Sequence, residues 1–287
     1  MTLKAYDLTR PARRTTSVVF ASPHSGRDYP RAFLARAQLD EREIRSSEDA
    51  FVDQLLQGVA AHGAPLLTAR APRAFLDLNR APEELDPALI EGVRRAAHNP
   101  RVTSGLGVIP RVVANGRPIY AGKLTLDEAH ARITRYWRPY HDMLQTLLDE
   151  SRNAFGEAIL IDMHSMPHEA LEHMGQSGQT RPDVVLGDRF GATAAPDVVA
   201  RVEAAFVDAG LSVARNMPFA GAYITQHYGR PSRGQHAVQV EIDRALYMNE
   251  RTLLPNGNFE TFRRLLLQVL GEVAAIGSRD TPRVAAE

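Results

Sequence analysis

The feature that most constrains this chain is the run Ala158-Ile-Leu-Ile-Asp-Met-His-Ser-Met-Pro167, an apolar stretch that ends abruptly in an acid, a histidine and a serine. Ile159, Leu160 and Ile161 have the character of a strand buried on both faces, as in a parallel sheet covered by helices. A helical pattern precedes the run and Pro167 follows it, so an α/β domain is expected, and such domains bind ligands at the carboxyl ends of their strands. His164 would then stand on the rim of a cleft. The alternative is a core histidine satisfied by the backbone, and the stretch alone does not choose between them.

Two other segments share this design. Ser17-Val-Val-Phe-Ala21 is a compact strand-like run that empties into Ser22-Pro-His-Ser-Gly-Arg-Asp-Tyr-Pro30, where His24 lies beside Gly26 in a turn. His236-Ala-Val-Gln-Val-Glu-Ile-Asp-Arg244 alternates, so Val238, Val240 and Ile242 face one way and Gln239, Glu241 and Asp243 the other. Glu241 is thus a carboxylate on a rigid strand, with a salt bridge to Arg244 or another arginine as the ordinary explanation.

Between these runs, Ser46 to Leu56 resembles a helix entry, with a serine cap, acids in the first turn and a stripe of Phe51, Val52, Leu55 and Leu56. Short strands are expected over Ala64–Leu67 and Leu211–Ala214, a short strand and turn over Asp183–Gly191, and a further apolar segment, Ala74 to Arg80, is read as a strand ending in Asn79 and Arg80. Residues 81–123 read as irregular. The clearest helix is Leu126 to Ser151, interrupted by Pro139; Pro196–Gly210 and Phe259–Ile276 are amphipathic helices. His168 to Pro182 and Phe219 to Pro231 read as polar loops, and the last ten residues as loose. No repeat or linker divides the chain, so a single domain over 1–287, with a core of about 15–276, is expected.

Composition narrows the chemistry. With no cysteine there is no disulfide scaffold, no thiolate nucleophile and no cysteine-ligated metal, so any metal must use His and carboxylate. The 34 basic and 34 acidic residues balance, which gives no global field for nucleic acid or an anionic membrane. No signal-peptide pattern and no membrane-length apolar run is present, so a soluble cytoplasmic protein is expected. His24, His164 and an acid at Glu48 or Asp49 come from two strand ends and a helix start on one expected rim, and hydrolytic zinc sites take three such ligands plus water.

The ordered set Pro23-His-Ser-Gly26, Asp77-Leu-Asn-Arg80, Gly105-Leu-Gly-Val-Ile-Pro110, Pro139-Tyr-His141, Ile161-Asp-Met-His-Ser-Met-Pro167, Gly187-Asp188, Gly221-Ala-Tyr-Ile-Thr225 and Val240-Glu-Ile-Asp-Arg-Ala-Leu-Tyr-Met248 resembles the N-formylglutamate amidohydrolase family across roughly residues 15 to 250. The resemblance implies a phosphorylase/hydrolase-like α/β fold related to zinc carboxypeptidases: a mixed, mostly parallel sheet flanked by helices. It implies Zn2+, or another divalent metal, on His24, Asp49 and His164, with Glu48 the fallback acid because Ala50 and Phe51 depart from the family pattern. It makes Glu241 the general base and Asn79 with Arg80 the grip on a substrate carboxylate. Arg111 and Arg244 are further carboxylate candidates, and Tyr223, Thr225 and His227 candidates to line the pocket. The implied activity is hydrolysis of the N-formyl or similar amide of an acidic amino acid, most simply N-formyl-L-glutamate. The alternatives are a deacylase or carboxypeptidase-like hydrolase of another carboxylated amide, and a metal-free protein that binds an acidic ligand. The expected partner is a small molecule, with no indication of oligomeric state.

Overall fold

The strand-like runs pair edge to edge into one sheet of seven strands. The computed structural model describes residues 4–94, 99–113, 116–172 and 181–278. Its strands are β1 (Tyr6–Thr9), β2 (Val18–Ser22), β3 (Leu66–Ala69), β4 (Ala158–Met166), β5 (Val184–Gly187), β6 (Val213–Arg215) and β7 (Gln235–Asp243), in the order β1-β3-β2-β4-β7-β5-β6. β3, β2, β4 and β7 are mutually parallel; β1 is antiparallel to β3, and β5, parallel to β6, is antiparallel to β7. The sheet is therefore mixed and mostly parallel, as expected.

β4 and β7 are buried at every position because helices and loops cover both faces. On one face Phe20, Ile159, Ile161, Val238, Val240 and Ile242 pack under the helices Pro196–Asp208 and Phe259–Ala275. On the other, Val19, Ala21, Leu160 and Ala237 pack under the helix Arg138–Phe155. Each fully buried aliphatic side chain contributes on the order of 1.5–3 kcal/mol. The second face changes character along each strand: in β4, Ala158 and Leu160 give way to Asp162 and His164, and in β7, Ala237 gives way to Gln239 and Glu241. The apolar half fixes the sheet and the polar half is left over at its carboxyl edge, the end where ligands bind in parallel sheets. Among the described residues no helix is long and apolar enough to cross a membrane.

The structure corrects four local expectations. Ser46 to Leu56 is not a helix entry: a 3-10 turn, Arg45–Ser47, is followed by extended Glu48, by Phe51 in the left-handed region (φ 67°), and only then by the single helical turn Val52–Leu55. Ala74 to Arg80 is a loop rather than a strand, because the Asp77 carboxylate accepts the Asn79 N–H at 2.8 Å and turns the chain. The Leu126–Phe155 helix is not broken at Pro139; a π segment, Ile133–Trp137, precedes the proline and its wider turn accommodates the missing N–H. Residues Tyr223–Tyr228, expected as loop, are helical: Asn79 Oδ1 accepts the free Ile224 N–H at 2.7 Å, a cap supplied from 145 residues away. Part of the expected loop His168–Pro182, residues 173–180, and the terminal 279–287 lie outside the described residues.

Candidate metal centre and active site

Three chain segments converge at the carboxyl edge. His24 follows β2, His164 is the seventh residue of β4, and Asp49 sits where the chain leaves the 3-10 turn. The Asp49 N–H donates to the His24 carbonyl at 3.1 Å, which locks two of the three segments together. One ligand atom from each of His24, Asp49 and His164 lies within 4.8 Å of the others, and all three residues are buried. Asp49 Oδ2 is 3.0 Å from His164 Nδ1 and 3.5 Å from His24 Nδ1. Tetrahedral ligands about 2.0–2.2 Å from a shared ion stand about 3.4 Å apart, so these separations fit one metal. His24 Nδ1 is buried with no hydrogen-bond partner, as a nitrogen facing an ion would be. Two imidazoles and a carboxylate, in a chain without cysteine, form a donor set suited to zinc.

Each imidazole has a carboxylate behind it. His24 Nε2 lies 2.7 Å from Asp77 Oδ1, and Asp77 Oδ2 accepts from Arg73 Nε at 3.0 Å. His164 Nε2 lies 3.0 Å from Asp162 Oδ2, off the line of a hydrogen bond, so that contact is electrostatic and both Asp162 oxygens remain without a donor. Such backing carboxylates fix ring orientation in metal sites. Arg244 supports the acid: its Nη2 donates to Asp49 Oδ1 and its Nε to Ser165 Oγ, both at 3.1 Å. Burial would raise Asp49, but the hydrogen bond with His164 and the charge of the neighbouring His24 and His164 imidazoles outweigh it and hold the carboxyl well below the usual range. Burial likewise opposes charge on His164, yet the Asp162 and Asp49 carboxylates push its pKa well above that of a free imidazole. Glu48 is not part of the cluster; it accepts from Tyr29 at 2.5 Å and pairs with Arg45, so Asp49 is the acid brought to the two histidines.

Glu241 stands one strand over, paired in register with His164. Its Oε1 accepts from Gln239 Nε2 at 2.8 Å, and burial pushes its carboxyl up to about 7 against the pull of His164. These groups line a cavity of about 680 Å³ together with Asn79, Arg80 and Arg244. Asn79 Nδ2 is 3.3 Å from His164 Nε2, and the Arg80 guanidinium is held by the carbonyls of Leu106 and Asn79. Trp137 Nε1 donates to the Arg80 carbonyl and His141 Nε2 to that of Leu78, both at 2.9 Å, so the loop bearing Asn79 and Arg80 is fastened from behind.

Four expected pocket residues lie elsewhere. Arg111 is captured by Asp86 (Nε–Oδ2 2.8 Å). Tyr223 stacks on His227 at 5.0 Å and packs toward Trp137 and His141, and Thr225 Oγ donates to the Ala222 carbonyl; the helical wind of this segment directs them away from the cavity. Conversely, Asp77, Asp162, Arg73, Gln239 and Arg189 belong to the site without having been singled out for it. For Asp162 and Gln239 a signal existed: each precedes a candidate by two residues on a strand and so shares its face.

Two imidazoles and an acid around one point, with a carboxyl that titrates near neutrality beside them, define a hydrolase-type centre with donors for a metal ion. The chain belongs to the N-formylglutamate amidohydrolase family, whose model matches residues 16–248, and is accordingly a hydrolase of an amide. It is 30% identical over 242 residues to the N-formylglutamate deformylase of Pseudomonas aeruginosa, covering 83% of this chain and 85% of that one. To the N-formylglutamate deformylase of Pseudomonas putida it is 31% identical over 236 residues, covering 81% and 82%. The crystal structure of N-formylglutamate amidohydrolase from Ralstonia eutropha JMP134 superposes with a TM-score of 0.89 at 36% identity, over 96% of this chain and 99% of that one.

Proposed function

We propose that this protein is a zinc-dependent deformylase that hydrolyses N-formyl-L-glutamate to formate and L-glutamate. When bound by His24, Asp49 and His164, zinc would supply a Lewis acid and a water of lowered pKa. Glu241, with its pKa near 7, accepts a proton from the attacking water and delivers it to the leaving amine as the C–N bond breaks. Gln239 holds the Glu241 carboxyl through Oε1, which leaves Oε2 to carry the proton. Asn79 and Arg80 hold a substrate carboxylate and so fix the amide relative to Glu241.

The observation that carries this reading is the strand register that sets Glu241 directly opposite His164. Glu241→Gln, assayed by formate release, is expected to keep its metal and lose about 10²–10⁴-fold in kcat. Undiminished turnover in that variant would remove Glu241 from the chemistry.

A further inference from the structure

Five arginines line the cavity, and they are not equivalent. Arg73 is tied to Asp77, and Arg244 to Asp49 with Glu250 beyond it at 3.7 Å. Arg101 is exposed on the same wall as Arg80. Arg80 and Arg189 are anchored by backbone carbonyls alone, Arg189 by Nη1 donating to Gly221 O at 3.2 Å, and neither has a carboxylate partner among the described residues. A partly buried guanidinium with no carboxylate at hydrogen-bond distance is incompletely compensated, and an incoming carboxylate is the group that completes it.

Arg189 is also held in position at some conformational cost. Arg189 (φ 52°) and Phe190 (φ 57°) are consecutive non-glycine residues in the left-handed region, an arrangement that persists only where the surroundings impose it. Here Asn216 imposes it: its Oδ1 accepts the N–H groups of Asp188 and Phe190, its Nδ2 donates to Asp188 Oδ1 at 2.7 Å, and the Arg189 N–H is fixed on Ala220 O at 2.8 Å. Gly187 admits the Ala220–Gly221 backbone, since a Cβ there would stand 2.7 Å from Ala220 C. The same backbone joins the two unpaired arginines. Gly221 O touches Arg189, and three residues later the Ile224 N–H binds Asn79 Oδ1, next to Arg80. Both arginines line the same cavity, so one bound molecule can be contacted by both.

We propose that Arg189 is the receptor for a second carboxylate, the side-chain carboxylate of an N-formylated acidic amino acid, and sets the enzyme's preference for a dicarboxylate. Asn79 contacts His164, whereas among the described residues the Arg189 side chain bonds to Gly221 O and to no metal-centre residue, so the α-carboxylate, nearer the scissile amide, goes to Asn79 and Arg80 and the distal one to Arg189. This assignment rests on the deformylase reading above.

The test compares formate release from N-formyl-L-glutamate and from N-formyl-L-glutamine, its isostere with an uncharged side chain and the same α-carboxylate. Wild-type enzyme is expected to prefer the glutamate derivative. Arg189→Met should lose about 10–10²-fold in kcat/KM on N-formyl-L-glutamate and less than about threefold on the glutamine derivative, so that the preference collapses. Arg189→Lys, which keeps the charge, should retain part of the preference, and Arg80→Met should lose on both substrates. Equal losses on both substrates in Arg189→Met, or an undiminished preference, would overturn the assignment while leaving the deformylase reading intact. Release of formate from neither substrate by metal-loaded wild-type enzyme would overturn the deformylase reading and the assignment with it.

Discussion

Replacing His141 with glutamine separates the protonation of one buried ring from every other effect of acid on the fold. His141 is 4% exposed; its Nε2 donates to Leu78 O, and its Nδ1 accepts from the Tyr228 hydroxyl, both at 2.9 Å. Burial is the main cause that lowers its pKa from 6.5 to about 3, because a charged ring there would lose its hydration. The folded state therefore binds this proton more weakly than the unfolded chain, and stability falls as pH drops below 6.5. At pH 5 the folded ring is still neutral and the unfolded one almost fully charged, which costs about 2 kcal/mol relative to pH 7. Glutamine can donate to Leu78 O but does not titrate. His141→Gln should lose about 1–3 kcal/mol at pH 7 from the disturbed bond to Tyr228, yet its stability should fall about 2 kcal/mol less than wild type between pH 7 and pH 5. Urea unfolding of both proteins at the two pH values measures this difference. Parallel decreases would refute the argument that His141 is neutral in the fold.

Asp77→Asn removes the charge behind His24 and should weaken metal binding about 10–100-fold, read by competition with a chromophoric chelator. Dialysis against a strong chelator should abolish formate release, and added zinc should restore it; activity that survives complete metal removal would refute metal dependence. Gly26→Ala places a Cβ 2.2 Å from Ala71 O, a backbone atom that cannot swing aside, and should destabilise the fold by about 1–3 kcal/mol while displacing the turn that carries His24, measured as a lowered Tm and reduced metal content. Ile161→Ala, which empties a fully buried position on the opposite face of β4, should cost about 2–5 kcal/mol in unfolding without changing KM.

What was legible in the sequence was what local periodicity encodes. The buried run at Ile159–Ile161 and the alternation across Val238–Ile242 report the sheet directly, because a strand's two faces are written at a spacing of two residues. The same rule placed Glu241 on a rigid element, and its expected partner Arg244 turns instead to Asp49. Tertiary bonds overrode local preference elsewhere. Acids after Ser46 and Ser47 look like a helix start, but Asp49 is drawn to the His24 carbonyl and to two imidazoles, and the chain leaves helical geometry to reach them. Asn79 caps a helix far from it in sequence, and Asp86 captures Arg111; neither partnership has a local signature. Arg189 was equally hidden, since its role depends on an Asn216 lock that only the folded chain brings to it.

Charge layout, more than shape, dictates how a substrate lies in this cavity. At about 680 Å³ the space falls in the range that accommodates drug-sized ligands and is too roomy to orient a small amino-acid derivative by fit alone. Asp49, Asp77, Asp162 and Glu241 gather at the sheet edge, and the two arginines among them, Arg73 and Arg244, are already committed to aspartates. With those two guanidiniums already paired, neither is free to receive a substrate carboxylate at this floor. Arg80 and Arg189, which line the same cavity without such a pair, are the guanidiniums left to attract it. On the reading proposed above, the formyl amide of an N-formyl dicarboxylate is thus the part that lies toward Glu241 and the paired imidazoles, while its carboxylates turn to the arginines that have no aspartate. Selection of a dicarboxylate would then follow from where the chain has and has not paired its arginines.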